Sequence, residues 1–488
     1  MFKIIIIKFY LPIIYNMSGN ELKNFLMPRT MNYPVSQRIE TDILYPVSFS
    51  QSSTKFVFDK KGILDANSQL QIKLLVPEQA GPVASNAFLP INTGISAVVS
   101  RAWLEIGGRR VSTLENVGDF NTFLNTSYNS DYKKQILKSK EGFLGNVGPA
   151  SKIGADDVGR IGTKPLENAT ADPSYKLTAD ASSPTWSLSL SRLIPMLKDF
   201  QLPLFAIDQE VSLVVEWNTG QLNKRYCLAS GEVEVQSTID QDSCVIMADY
   251  LFYPMEMDDI AMKIGSGVGY SHIYDEVITI ESTENATGAD PGVGNSLPAT
   301  FSHNIALAGK TLKAVVCQAF KAPNALCGVY VSNDDQKEDS YNFTINSRPL
   351  YANDIKNTSS KYKEVSSIIE RPLNLNCWEY GFINQVDDDG IFTVADSGFT
   401  DFTFEGTTQQ ERTATQNWTG MSLSSDSLGI SGRKMSNLPI ILRRNREIMN
   451  ANVYPTAVAD FNTSVLMRMF AITSKVLVMK DGQTTIVQ

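Results

Sequence analysis

Apolar and polar residues alternate with a period of two along much of this chain. Leu70, Ile72, Leu74 and Val76 alternate with Gln69, Gln71 and Lys73. Trp186, Leu188 and Leu190 alternate with Ser187, Ser189 and Ser191, and Val211, Leu213, Val215 and Trp217 share one face of a further run. Val233 and Val235 sit among Glu232, Glu234 and Gln236; Phe343 and Ile345, then Phe402 and Phe404, repeat the pattern in the second half. Successive side chains of a strand point to opposite faces, so this period puts one face on a core and the other in water. Antiparallel sandwiches carry that signature. Gly107-Gly108, between RAWLEI and RRVSTLE, marks a two-residue hairpin turn, and Asp389-Gly390 and Asp481-Gly482 are further turn signals. One helical signal interrupts the strands. After Asn116, which suits a cap, Phe120, Phe123, Leu124 and Tyr128 recur at helical spacing, and this helix is expected to cover one end of the first sandwich.

Glycines mark a boundary at residues 263–271, KIGSGVGYS, which reads as a linker. The strand-rich stretches on either side, about 42–257 and 270–483, are nearly equal in length. Both close on Met-rich apolar material, DSCVIMADYLFYPMEMDD and FNTSVLMRMFAITSKVLVMKDG. No residue-level repeat is visible, so the expectation is a structural duplication. Residues 139–183 hold Gly142, Gly145, Gly148, Gly154, Gly159 and Gly162 and read as a long surface loop. Residues 2–15, FKIIIIKFYLPIIY, are apolar or aromatic at 11 of 14 positions. The stretch is shorter than a ~20-residue membrane span and is broken by Pro12. Lys8 interrupts it and no small-x-small cleavage site follows, so residues 1–16 read as an over-called start ahead of Met17. The expected division is an N-terminal arm over 1–41, a first sandwich over 42–257, a linker over 258–269 and a second sandwich over 270–488.

Chemistry leaves few marks. The 43 Lys and Arg against 52 Asp and Glu give a net charge of −9, which argues against a bulk polyanion binder. His272 and His303 are the two histidines; neither has an evident carboxylate constellation, and each reads as a structural or surface residue. Cys227, Cys244, Cys317, Cys327 and Cys377 are odd in number with no C-x-x-C, as expected of buried thiols in a reducing compartment. Neither H-E-x-x-H nor G-x-S-x-G occurs. Gly265, Gly267 and Gly269 lack the dinucleotide spacing, and Asn304 stands where a P-loop ending in Gly309-Lys310-Thr311 needs its first glycine. Asp387, Asp388 and Asp389 before Gly390 read as a solvated hairpin tip ahead of a hard-cation site. Sequons at Asn125, Asn168, Asn285, Asn342, Asn357, Asn417 and Asn462 matter only if the protein meets a glycosylation machinery. Basic residues cluster once, at Arg433, Lys434, Arg443, Arg444 and Arg446. They read as partners in subunit salt bridges, with an inward, genome-facing surface as the weaker alternative, since a nucleic-acid groove wants interleaved aromatics. No catalytic residue, cofactor or metal site is expected.

From about residue 30 onward the chain resembles the double jelly-roll major capsid proteins of the lineage that includes virophages, polinton-like viruses, phycodnaviruses and tectiviruses. In the first half the resemblance rests on VVSRAWLEIGGRRVSTLENVGDFNTF, LIPMLKDFQLPLFAIDQEVSLVVEW and CVIMADYLFYPMEMDD. In the second it rests on YNFTINSRPLYAND, GMSLSSDSLGISGRKMSNLPIIL and FNTSVLMRMFAITSKVLVMKDG. Each piece is loose; their order across two equal β halves is more specific. The chain departs from the larger viruses at Asn346-Ser347, where they carry Asn-Gly.

The resemblance implies an all-β fold of two tandem eight-stranded antiparallel jelly rolls, with a few short helices in loops. It implies a homotrimer, a pseudo-hexagonal capsomer and an icosahedral shell around a DNA genome, located in the virion and assembled in a host cell. The implied partners are further copies, penton and minor capsid or cement proteins, and an inner membrane close by; sequence-specific nucleic-acid binding and enzymatic activity are not implied. The competing reading is a carbohydrate-binding or glycoside-cleaving jelly roll, with Trp378 or Trp418 as exposed aromatics.

Overall fold

The computed structural model describes residues 38–75, 88–90, 94–126, 140–141, 163–165, 185–198, 201–218, 238–267, 269–285, 296–307, 309–321, 336–356, 360, 363–364, 368, 419–423, 433–435, 439–449 and 464–487. Residues 1–37, most of 139–183, Val76, Val233, Val235, Phe402, Phe404 and Asp389-Gly390 lie outside the described residues.

The first half contains β1 (Arg38–Leu44), β2 (Ser48–Phe49), β3 (Ser53–Val57), β4 (Ile63–Leu64), β5 (Gln69–Leu75), β6 (Phe88–Pro90), β7 (Val99–Ile106), β8 (Arg109–Glu115), helix α1 (Val117–Thr126), β9 (Thr163–Pro165), β10 (Thr185–Ser189), β11 (Val211–Trp217), β12 (Thr238–Ile239) and β13 (Val245–Phe252). One sheet has the order β1-β13-β5-β10, and the other β2-β3-β11-β7-β8. The alternation read from the sequence sets their inner faces. Leu70, Ile72 and Leu74 of β5 meet Leu213 and Val215 of β11 and Leu104 of β7 in one buried core.

The second half contains helix α2 (Pro254–Gly265), β14 (Tyr270–Asn285), β15 (Ser296–Ile305), β16 (Lys310–Lys321), β17 (Gln336–Ile345), β18 (Arg348–Pro349), β19 (Thr419–Ser422), β20 (Arg433–Met435), β21 (Ile440–Met449), β22 (Ser464–Lys480) and β23 (Gln483–Val487). Its sheets run β14-β22-β16-β19 and β15-β21-β17-β18. Val315 and Met469 of one face Phe343 and Leu442 of the other in a second core. With β2, which forms a short antiparallel hairpin with β3, and the other short side strands set aside, each half has eight strand positions. In both halves the sheets read 1-8-3-6 and 2-7-4-5, all antiparallel. The halves therefore share one topology without sharing a sequence.

Three turns need left-handed backbone at both central residues, as two-residue hairpins do. They are Gly107-Gly108 (φ 58° and 74°), Asn346-Ser347 (52° and 61°) and Asp481-Gly482 (52° and 69°). The first and third are those read from the sequence. The stretch assigned to a linker is helical over Pro254–Gly265, with proline in the first turn, where its missing N–H costs nothing. The glycines act after it, where Gly267 and Gly269 take φ of 74° and 82° and turn the chain into β14. The first strand also begins earlier than expected, at Arg38, because residues 38–44 pair in full with β13.

The strands run between two unlike ends. The turns 107–108, 346–347 and 481–482, the segment 208–210 and the start of α2 gather at one. By register, β5, β11, β14, β16 and β21 finish at the opposite end, and β10, β15, β17, β19 and β22 begin there.

Candidate functional site

A polar and apolar contact joins the two halves. Helix α1 packs on its own roll, against residues 94–98 and β7, as expected, and also reaches the second half, where Phe120 and Phe470 of β22 meet at 5.4 Å between ring centroids. Beside them Arg468 pairs with Asp119 and, at 2.8 Å, with Glu281. Asn116 Nδ2 donates to Glu281 at 3.2 Å, the Thr279 hydroxyl donates to the Glu115 carbonyl at 3.2 Å, and the Tyr274 hydroxyl donates to the Val111 carbonyl at 2.9 Å. Burial pushes the Tyr274 phenol up, with Glu276 adding to it. At the turn end, the Asp208 N–H donates to the Gly482 carbonyl at 3.0 Å and Thr484 donates to Gln209 from both its N–H and its hydroxyl. Val277, Val316, Phe470 and Leu477 are continuous with the first core, so the seam is apolar at its centre.

A second polar constellation lies inside the second half. Glu284 of β14 accepts from Arg444 of β21 at 2.8 Å and from His303 Nε2 of β15 at 2.8 Å, and His303 Nδ1 meets the Ser282 hydroxyl at 2.9 Å. A carboxylate only accepts, so Nε2 carries a proton. Serine, imidazole and carboxylate thus stand in the order of a nucleophilic triad. Yet the imidazole is 2% exposed and the carboxylate is held by a guanidinium that is 1% exposed. The arrangement therefore joins the facing sheets: Glu284 hangs from one, Arg444 and His303 from the other. The expectation of a structural histidine fits His303, whose carboxylate partner carried no signal in the sequence. His272 sits on β14 opposite Leu477.

The five clustered basic residues do not form one patch. Arg433 and Lys434 lie on β20 opposite Leu312 and Thr311, while Arg443, Arg444 and Arg446 lie on β21 in the facing sheet. Adjacent residues of a strand face opposite ways. Arg443 is exposed and pairs with Asp354 at 3.0 Å, whereas Arg444 points into the core, which corrects its assignment as a surface contact. Asp354 also accepts from Asn342 and Asn445, each at 3.0 Å. These hydrogen bonds, Asn342 first, with the Arg443 charge, hold its carboxyl below the usual range. The side chain of Asn342, one of the sequons, is thus buried and engaged. Cys244 and Cys317 are buried, and burial pushes the Cys244 thiol up to about 12. Among the described residues no group of three or more His, Cys, Asp or Glu side chains is placed to hold a metal ion. Trp378, Trp418 and Asp387–Asp389 lie outside the described residues.

No family model matches the sequence, and no curated protein matches it. Solved structures do. A quasi-atomic model of the PBCV-1 virus capsid matches at a TM-score of 0.54 and 13% identity, over 95% of this chain and 99% of that one. The Sputnik virophage, solved by cryo-EM, matches at 0.52 and 11%, over 93% and 89%. The crystal structure of the mavirus major capsid protein matches at 0.51 and 11%, over 95% and 94%. The matches run through both copies of the 1-8-3-6 and 2-7-4-5 pattern. The chain is a double jelly roll. Within this double jelly roll, roll 2 sets the outward face of its first and eighth strands, β14 and β22, against the fifth strand of roll 1, β8, and the helix that follows it. The same face of roll 1 exposes apolar side chains. Ile39, Ile43, Tyr45 and Val47, on alternate positions of β1 and its extension, are 57%, 55%, 67% and 70% exposed.

Proposed function

We propose that this chain is the major capsid protein of an icosahedral DNA virus, a structural subunit and not an enzyme. The observation that supports this reading is the double jelly roll itself, shared over nearly the whole length of both chains with the PBCV-1 capsid, Sputnik and mavirus structures. Three copies form a pseudo-hexagonal capsomer, and capsomers tile a shell in the virion, with penton and minor capsid or cement proteins completing it. Roll 1 ends near residue 253 and roll 2 begins near 270, joined by α2. The strands stand along the shell normal. The end from which residues 139–183 depart faces outward, and the arm over 17–38, which enters β1 at the short-turn end, faces inward, near the genome or an inner membrane. Arg433, Lys434 and Arg446 serve as contact or inner-face charges. Nothing among the described residues favours the carbohydrate-binding alternative.

Light scattering of the purified protein tests this. A chain of 53.9 kDa gives a trimer of three times that mass, about 162 kDa, and electron microscopy of the same sample shows six-lobed particles. Capsomer-to-capsomer contacts, built on exposed ion pairs, weaken with salt before the trimer does. A monomer at low micromolar concentration overturns the reading.

A further inference from the structure

Helix α2 buries one side and, among the described residues, leaves the other uncovered. Ile260 and Ile264 pack on the first core, whereas Met255 and Met262 are 51% and 67% exposed. Residues 255, 259 and 262 recur at helical spacing, so the two methionines and Asp259 form one outward stripe, opposite the buried isoleucines. Methionine is flexible and polarisable, which suits a surface that adapts to a partner.

The stripe lies where the N-terminal arm joins the fold. Arg38, the first residue of β1, pairs with Phe252, and Tyr253 leads directly into α2 at Pro254. Paired strands stand ~4.8 Å apart, so the arm departs beside the start of the helix. A helix of 12 residues is ~18 Å long. Residues 27–37, drawn out in full, span up to ~36 Å, so the sequence just before them reaches any point along α2. That sequence complements the stripe. Leu22, Phe25 and Leu26 recur at helical spacing ahead of Pro28, and Ser18 with Glu21 matches a capping box. Between Met17 and Gln37 the charges are Lys23 and Arg29 against Glu21. Helix α2 carries Glu256, Asp258 and Asp259 against Lys263, which pairs with Asp259 at 2.6 Å.

The geometry points to a docking site for the arm on α2 of its own chain. Leu22, Phe25 and Leu26 cover Met255 and Met262, and Lys23 and Arg29 lie against Glu256 and Asp258, which flank the stripe. Since α2 connects the rolls and touches β14 and β22, the docked arm braces the joint between them. The contact lies within one chain and does not depend on the capsid reading.

Engineered cysteines in the full-length protein read the contact directly. One protein carries Phe25→Cys with Met262→Cys. The control carries Phe25→Cys with Ser50→Cys, because Ser50 is exposed at the opposite end of roll 1. After mild oxidation, non-reducing electrophoresis and peptide mass spectrometry locate the bonds. The first pair is expected to join within a single chain of 53.9 kDa, and the control pair is not. Hydrogen exchange gives a second readout. Leu22→Asp with Phe25→Asp is expected to speed exchange of the α2 amides about tenfold, the scale of re-exposing one large apolar side chain. Met255→Asp with Met262→Asp, at positions already exposed, keeps the fold and speeds exchange at residues 22–26. A bond between 25 and 262 that forms only between chains overturns the assignment in favour of a neighbouring copy. No bond, with α2 exchange unchanged by the arm variant, overturns the docking and leaves the stripe to a different partner. Either failure leaves the mass of the oligomer, and so the capsid reading, untouched.

Discussion

Glu284 is the residue on which the second roll's interior depends. It is separated from His303 by 19 positions and from Arg444 by 160, and it satisfies both across the sandwich. Replacing one member of a buried pair leaves the other charge uncompensated, at about 3–5 kcal/mol. Glu284→Gln is therefore expected to lower the urea midpoint sharply, while Glu281→Gln, at a half-exposed carboxylate, does much less. Asp354 predicts a pH dependence. Its folded pKa lies below the unfolded value, so its contribution is complete above the unfolded pKa of about 3.9 and is lost as pH falls through the lower folded value. Asp354→Asn should flatten that acid limb of stability below about pH 4, measured by urea unfolding across the range. A steeper acid loss in the variant would show the assignment to be wrong. Neither site was legible as a spacing motif, because the partners meet only through sheet pairing. One signal was available: Ile440, Leu442 and Arg444 share parity, so of two adjacent arginines the second belongs to the inward face.

Turns were more legible than partners, because left-handed backbone restricts the residue types. Gly107-Gly108 and Asp481-Gly482 mark their hairpins before any coordinates exist. Asn346-Ser347 makes a third turn of the same kind with a less obvious pair; asparagine tolerates the left-handed region, and serine there carries the larger strain. Gly482 also answers to the seam. A Cβ at this position would overlap the Asp208 carboxylate, in addition to sitting at φ 69°. Gly482→Ala is expected to destabilise by about 1–2 kcal/mol from backbone strain, with a further loss from the displaced Asp208. A double cycle with Asp208→Ala separates the two: the contact part is recovered in thermal unfolding and the backbone part is not. Helix α2 was missed for a physical reason. Three glycines at 265, 267 and 269 drew the boundary over residues whose helical signals, Pro254 and the acidic first turn with Glu256, lie upstream of them.

The whole molecule should unfold as one body. The first core extends through Val277, Phe470 and Leu477 into the second roll, and Arg468, Tyr274 and Thr484 bond across the same boundary. Calorimetry is expected to show a single transition whose calorimetric and van't Hoff enthalpies agree, unusual for a chain of 488 residues. Two resolved transitions would mean that the seam joins rolls without coupling them. The two-roll architecture was legible in the alternation and in the near-equal halves; the seam was not, because its residues carry the same apolar pattern as a core. The unlike ends have a consequence of their own. At one end three of the returns are two-residue turns whose geometry admits no extra residue without losing strand register. At the other, the strands deliver the chain to residues 76–87, 219–237, 286–295, 322–335 and 450–463. Lengthening any of those three turns is therefore expected to cost strand register, while residues 58–68 and 190–210 show that the same pole also carries longer connections.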